Sequence, residues 1–152
     1  MEKSRQVIVR APGKINLYLD ILGTDEKNYH LLNTIMHSVS LEDTVTLERT
    51  GETNISLGTT WSHIPKGEDN IAHRAALAFF RHTGIPAEGL FIHIDKKIPV
   101  SAGLAGGSSN AASVLKGFNK LWDLGLSKKE LMVIGEDIGA DVPFCILGGK
   151  IG

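Results

Sequence analysis

One glycine-rich segment carries the clearest chemistry in this chain. Pro99-Val100-Ser101-Ala102-Gly103-Leu104-Ala105-Gly106-Gly107-Ser108-Ser109-Asn110 falls between a β-rich run and an amphipathic helical run. Gly103, Gly106 and Gly107 lack a Cβ, so their backbone N–H groups can come close to a ligand. Ser108 and Ser109 stand where the helix opens and add hydroxyls to its unpaired N–H groups and positive dipole end. That combination suits phosphate. A tight turn with an ordinary serine cap needs one glycine and one serine, whereas this stretch spends three glycines and two serines within seven residues. Two common nucleotide fingerprints do not fit. A Walker A loop follows its last glycine with Lys and then Ser or Thr, but Gly107 is followed by Ser108-Ser109. A dinucleotide fingerprint needs G-x-G-x-x-G early in a βαβ unit, and the spacing here is G-x-x-G-G after a largely antiparallel half.

Other reactive side chains are sparse. The six histidines, at 30, 37, 63, 73, 82 and 93, show no compact ligand spacing, which argues against a zinc enzyme. The single cysteine, Cys145, excludes an internal disulfide framework and lies in an apolar run that reads as core.

The elements that must hold the glycine-rich segment follow from periodicity. Residues 6–10 and 15–22 read as short strands, with Ala11-Pro12-Gly13-Lys14 between them as a turn or bulge. Residues 34–40 and 44–48 read as a second pair of strands, linked by Leu41-Glu42-Asp43 and expected to lie antiparallel. Residues 55–58 suggest an edge strand. Asp69 or Asn70 caps a predicted helix through His82, closed by Gly84 and Pro86. Residues 90–94 alternate as a strand, and a second helix follows the glycines through Ala111, Val114, Leu115, Phe118, Leu121 and Trp122. Ser127-Lys128-Lys129-Glu130 is a capping box for a third helix running to Gly139. Residues 142–147 read as a last strand. Strands first and helices later predict an α+β layer architecture.

Composition narrows the function classes. The chain has 152 residues, room for a single domain or two very small ones, with 42% hydrophobic and 22% charged residues. Sixteen basic and seventeen acidic residues leave a net charge of −1, which gives no general electrostatic reason to expect nucleic acid or an anionic membrane as partner. No apolar run approaches the roughly 20 residues of a membrane span. Residues 1–10 are charged from the second position on and lack a long apolar stretch, so a cytoplasmic location is expected. Seventeen glycines, against a usual level of about 7%, are the one compositional excess, and they point back to the segment at 99–110.

Read in order, several motifs resemble the GHMP kinases. Residues 99–112, PVSAGLAGGSSNAA, resemble the central phosphate loop of that family, and Ala11-Pro12-Gly13-Lys14-Ile15-Asn16-Leu17 resembles its first motif. Lys14 with Asn16, Tyr29-His30, Asp69-Asn70, Ile94-Asp95-Lys96 and Gly139-Ala140-Asp141-Val142-Pro143-Phe144 resemble most closely the members that phosphorylate a cytidine diphosphate-linked polyol in isoprenoid precursor biosynthesis. Ser101-Ala102 stands where many relatives have two glycines, and Gly13 where these members more often have alanine.

The resemblance implies an α+β fold, a two-layer, mostly antiparallel sheet with helices on one face, like ribosomal protein S5 domain 2. It implies transfer of the ATP γ-phosphoryl group to the 2-hydroxyl of a methylerythritol unit, with Mg2+ as the accompanying cation and its protein ligands left open. Asp141 would be the general base, and Lys14 would pair with it and stabilise charge on the reacting oxygen. Asn70 and residues Pro99, Val100, Ser101, Ala102, Gly103, Leu104, Ala105, Gly106, Gly107, Ser108 and Ser109 would bind ATP. Asn16, Tyr29 and His30 would bind the cytidine-bearing substrate. From spacing alone, Asn70 is a plain helix cap, Asp141 a turn residue and Lys14 a solvated strand-end lysine. The family also has a C-terminal domain to which nothing in these 152 residues corresponds, so residues 1–152 are expected to be the N-terminal, ATP-binding domain. The alternatives are another small-molecule kinase of the same family, of mevalonate or homoserine type, and a nucleotide-binding module without turnover.

Overall fold

The computed structural model describes residues 5–24, 30–99, 104–148 and 150–151, with side chains outside 16–37 and 150–151. Strand β1 (Gln6–Thr24) pairs antiparallel with β2 (His30–Arg49). Strand β3 (Ile55–Thr59), helix α1 (Ile71–Thr83) and strand β4 (Leu90–Asp95) follow. Helices α2 (Gly106–Leu121), α3 (Lys128–Glu136) and α4 (Val142–Leu147) precede a short strand β5 (Lys150–Ile151). Among the described residues the sheet has the order β1-β2-β4-β3, with β5 also on β2. The α+β class is as expected.

Three expectations are corrected. Residues 34–40 and 44–48 do not pair with each other but are parts of one strand, β2, which pairs with β1 through Glu42↔Pro12 and Asp43↔Ala11. Leu41-Glu42-Asp43 offers no Gly, Pro or Asn to turn the chain. The 11–14 segment is likewise a register shift inside β1, between Pro12 and Lys14. Pro12 is tolerated there because β1 is an edge strand and the ladder is already interrupted. Second, the helices do not all follow the strands. Helix α1 links β3 to β4, and those two strands pair parallel, Leu57 against Ile92. Third, residues 142–147 form helix α4 rather than a strand. A six-residue apolar run has no decisive period, and Pro143 fits a helix's first turn, where no N–H is needed.

Alternation builds the core. Leu90, Ile92 and Ile94 are fully buried while Phe91, His93 and Asp95 are half-buried, and on β2 Val45 and Leu47 are fully buried. Helices α1 and α2 pack against the sheet. Phe118 of α2 stacks on Phe79 of α1 at 4.6 Å between ring centroids and meets Phe80 edge-on at 5.1 Å. Gly117 lets α2 lie flat on the sheet: a β-carbon there would sit 2.5 Å from Leu47 Cδ1 and 3.3 Å from Val7 Cγ1.

The helix ends are set locally. Asn70 caps α1 by accepting from the Ala72 N–H at 2.8 Å, and Gly84 closes that helix in the left-handed region at φ 73°. Ser127 and Glu130 form the expected capping box on α3, with the Ser127 hydroxyl accepting from the Glu130 N–H at 3.1 Å. That helix ends at Glu136, and residues 137–141 turn the chain into α4.

Candidate active site

The turn that begins α2 gives the site its first half. Ala105 takes the N-cap position with φ 54° and no side chain among the described residues caps the helix. A left-handed alanine is strained, and such strain tends to persist where the surroundings over-determine it. The first serine expected as a cap, Ser108, instead lies inside the first turn, after Gly106 and Gly107. Among the described residues no side chain takes up the N–H groups of that turn, and the positive end of a 16-residue helix stands behind them. They open on a cleft of about 440 Å³, lined by the loop at Ile64 and Pro65, by Asp69, Asn70, Ile71 and Arg74 of the α1 start, by Lys96 and Pro99, and by Ala105, Gly106, Gly107, Ser108 and Asn110.

Local packing fixes the cleft walls. Gly106 is needed for closeness: a β-carbon there would lie 3.0 Å from Ile98 Cγ2 and 3.4 Å from the Lys96 ammonium. Ile71 contacts both sides of the site, since β-carbons at Gly107 and Gly139 would each come within 3.3 Å of it. The Asn70 amide is committed at both ends, its oxygen to the Ala72 N–H and its nitrogen to the Pro65 carbonyl at 2.9 Å. Asn70 thus serves as the helix cap that spacing suggests while lining the cleft.

A second pair of expected residues, Lys14 and Asp141, is not among those lining the cleft and comes from distant segments. Lys14 follows the register shift in β1, and its backbone N–H donates to the Leu104 carbonyl at 2.8 Å, tying that strand to the middle of the glycine-rich segment. Its ammonium lies 3.7 Å from Asp141 Oδ1, with the Lys14 side chain 9% exposed and that of Asp141 44% exposed. Asp141 is the N-cap of α4 but makes no side-chain capping bond, so its carboxylate is not spent on the helix. At the other end of α4, the Lys116 ammonium donates to the Cys145 carbonyl at 3.0 Å and Lys128 reaches the Leu147 carbonyl at 3.5 Å. Acid at the N-terminus and bases at the C-terminus both complement the helix dipole. Burial, reinforced by the neighbouring Lys128, lowers the Lys116 pKa, while Cys145 opposes the shift. Cys145 itself is a core residue, 8% exposed. Burial pushes its thiol up to about 11, Asp141 adds to the rise, and Lys116 and Lys14 oppose it.

The expected site residues thus divide into three groups. Lys14 meets Asp141, and Asn70, Pro99, Ala105, Gly106, Gly107 and Ser108 share one cleft, with Leu104 bonded to Lys14. Ser109 is 2% exposed, gives its N–H to the Ala105 carbonyl at 2.9 Å, and is not among the lining residues. Val100, Ser101, Ala102, Gly103 and Tyr29 lie outside the described residues, as do the side chains of Asn16 and His30. Sequence reasoning gave no role to Arg74, Lys96 or Asn110, all of which line the cleft, nor to Asp43, which is fully buried beside it and bonded to Lys96 and Asn110. A signal for Asp43 was present: two-residue alternation puts it on the same face as Val45 and Leu47, where a carboxylate must find partners.

Known proteins resemble this chain in sequence and fold. Residues 70–149 match the family model described as the GHMP kinases N terminal domain. The chain is 51% identical over 145 residues to 4-diphosphocytidyl-2-C-methyl-D-erythritol kinase of Alkaliphilus metalliredigens, covering 95% of this chain and 50% of that protein. The corresponding kinase of Gloeobacter violaceus is 49% identical over 147 residues, with 95% and 47% covered. A crystal structure of 4-(cytidine 5'-diphospho)-2C-methyl-D-erythritol kinase superimposes with a TM-score of 0.79 at 35% identity, across 95% of this chain and 50% of that one. The chain spans about half the length of the curated relatives it matches. With the family model covering more than half of its residues, the chain belongs to the GHMP kinases, through their N-terminal domain.

Proposed function

We propose that these residues form the ATP-binding half of a kinase that phosphorylates the 2-hydroxyl of 4-diphosphocytidyl-2-C-methyl-D-erythritol, the two-domain enzyme being completed by a C-terminal domain. One observation carries the catalytic reading: the Lys14 ammonium stands 3.7 Å from Asp141 Oδ1, on a strand bonded to the glycine-rich segment at Leu104. Relatives at about half identity that bear this kinase name support the choice of acceptor.

The chemistry follows from the groups present. The triphosphate lies against the first-turn N–H groups of α2, with Gly106, Gly107 and Ser108 at the phosphates and Asn70 and Pro99 in the rest of the cleft. Asp141 accepts the proton of the acceptor hydroxyl as its oxygen bonds to the γ-phosphorus and the bond from that phosphorus to the β-phosphate oxygen breaks, releasing ADP. Lys14 holds the Asp141 carboxylate in place and faces the charge that builds on the transferring group. Asn16, Tyr29 and His30 hold the cytidine-bearing acceptor. Mg2+ fits the cleft, because the Ser108 hydroxyl and the Asp69 carboxylate supply hard oxygen donors and this ion takes most of its other ligands from phosphate and water. When bound it neutralises phosphate charge and orients the γ group. The same reading includes the two-layer, S5 domain 2-like packing, a cytoplasmic setting and no nucleic-acid or membrane partner.

The test is an ATP-dependent assay offering the cytidyl acceptor, mevalonate and homoserine side by side, run on residues 1–152 alone and joined to the C-terminal half of a relative. Transfer confined to the cytidyl acceptor supports the proposal. Transfer to mevalonate or homoserine instead moves the chain to another branch of the family, and ATP binding with no transfer to any acceptor leaves a binding module.

A further inference from the structure

Asp43 is 0% exposed and stands on β2 in line with the core residues Val45 and Leu47. Its carboxylate receives four donors. Oδ1 accepts from the backbone N–H groups of Lys97 at 2.6 Å and Ile98 at 2.8 Å. Oδ2 accepts from the Lys96 ammonium at 2.6 Å and the Asn110 amide at 2.9 Å, and Asn110 Oδ1 accepts from the same ammonium at 3.2 Å. A carboxylate offers about four lone-pair sites, so its capacity is filled. Stability alone is a poor reason for such a group, since well-packed apolar residues often replace buried ion networks without loss.

The identity of the partners is more telling. Lys96, Lys97 and Ile98 are the chain entering the glycine-rich segment, and Asn110 is on α2, which leaves it. One side chain from a different strand thus joins both stems of the loop, from 53 to 67 residues away in sequence. Lys96 and Asn110 line the cleft, and Asp43 does not.

We propose that Asp43 is a positioning residue for nucleoside triphosphate binding. It clamps the two stems of the glycine-rich segment, fixing the α2 N-terminus against the end of β4 and holding Lys96 and Asn110 at the cleft wall. This rests on the triphosphate reading of the cleft. Because the clamp touches only the stems of that segment, its loss acts on the nucleotide and spares the acceptor.

The decisive comparison is between the intact enzyme and Asp43→Asn, which keeps the shape and the Oδ1 acceptor but turns an amide N–H toward two donors. Calorimetric titration with ATP and steady-state kinetics with both substrates are the readouts. The expected result is at least a tenfold rise in ATP Kd and KM, with acceptor KM within twofold and kcat at saturating ATP within threefold of wild type. An unchanged ATP Kd in a folded variant overturns the proposal, as does an equal loss for both substrates or a loss in kcat alone. Should Asp43→Asn not fold, Asp43→Glu decides, since it keeps the charge beside Lys96 but displaces the carboxylate by one methylene. A one-sided rise in ATP KM of threefold or more supports the clamp, an ATP KM within twofold of wild type overturns it, and failure of both variants to fold overturns it by making Asp43 a folding residue only. A wild-type enzyme that binds no ATP contradicts the triphosphate reading itself, whereas ATP binding indifferent to Asp43 contradicts the clamp alone.

Discussion

The Lys14 side chain is 9% exposed, while its partner Asp141, whose Oδ1 lies 3.7 Å from the Lys14 ammonium, keeps 44% of its side chain exposed. The asymmetry suits a reacting carboxylate. A base must reach a substrate hydroxyl, while the cation that steers it gains from a low-dielectric setting. Asp141→Asn and Lys14→Ala, each in the intact enzyme, should lower kcat by about 10²–10⁴-fold while ATP Kd stays within a few-fold. Single-turnover transfer from labelled ATP, with ATP binding measured in parallel, checks this. Asp141→Asn leaves the buried Lys14 ammonium without its anionic partner, so thermal melting should show a loss of about 1–3 kcal/mol rather than the near-zero effect of a surface ion pair.

Gly106 tests the cleft. A methyl at this position would arrive 3.0 Å from Ile98 Cγ2, and Ile98 is fully buried with no room to yield. Gly106→Ala should therefore displace the first turn of α2 and weaken ATP binding by about tenfold, equivalent to about 1.4 kcal/mol. Titration with ATP measures it, and an unchanged affinity would remove this turn from the nucleotide site.

Gly117 tests the fold rather than the site. A β-carbon there would lie 2.5 Å from Leu47 Cδ1, in a core where Leu47 has no exposed surface. Gly117→Ala should cost about 1–3 kcal/mol through overpacking, lowering Tm by about 2–4 °C per kcal/mol for a chain of this size. The gain in helix propensity offsets about 1 kcal/mol of this at most.

Cys145 gives a pH dependence with a definite sign. Its thiol ionises at about 11 in the fold against 9.0 for a free thiol. Between those values the folded chain holds a proton that the unfolded chain has lost, so the contribution is complete below pH 9 and disappears as pH rises through about 11. Stability measured by denaturant should fall across that window, and Cys145→Ser should flatten the fall. At pH 8.5 the folded thiol should react with iodoacetamide at least ~30-fold more slowly than in denaturant, since only thiolate reacts. Equal rates would show the thiol to be exposed.

Local signals were readable in the sequence and long-range ones were not. Asn70, Gly84 and the Ser127–Glu130 box set helix ends through contacts a few residues apart, and each forms as its spacing implies. The glycine-rich segment likewise falls between a strand, β4, and a helix, α2, as the sequence pattern implies. Helix α4 looks like a strand in the sequence because six apolar residues carry no period, and β2 looks like two strands and a turn because it crosses a register shift. The site's pairs escape local reading altogether. Lys14 and Asp141 meet only because β1 and α4 converge, so only the ordered resemblance to known kinases suggested them. Asp43 went unassigned because its partners lie more than fifty residues away.

The most direct measurement is phosphorus NMR of a reaction containing ATP, Mg2+, the cytidyl acceptor and the intact enzyme. The account predicts a new phosphomonoester signal from phosphate esterified at the 2-hydroxyl oxygen, formed in step with ADP and absent with Asp141→Asn. ADP release without that ester, or an ester formed at the wild-type rate by Asp141→Asn, would contradict it.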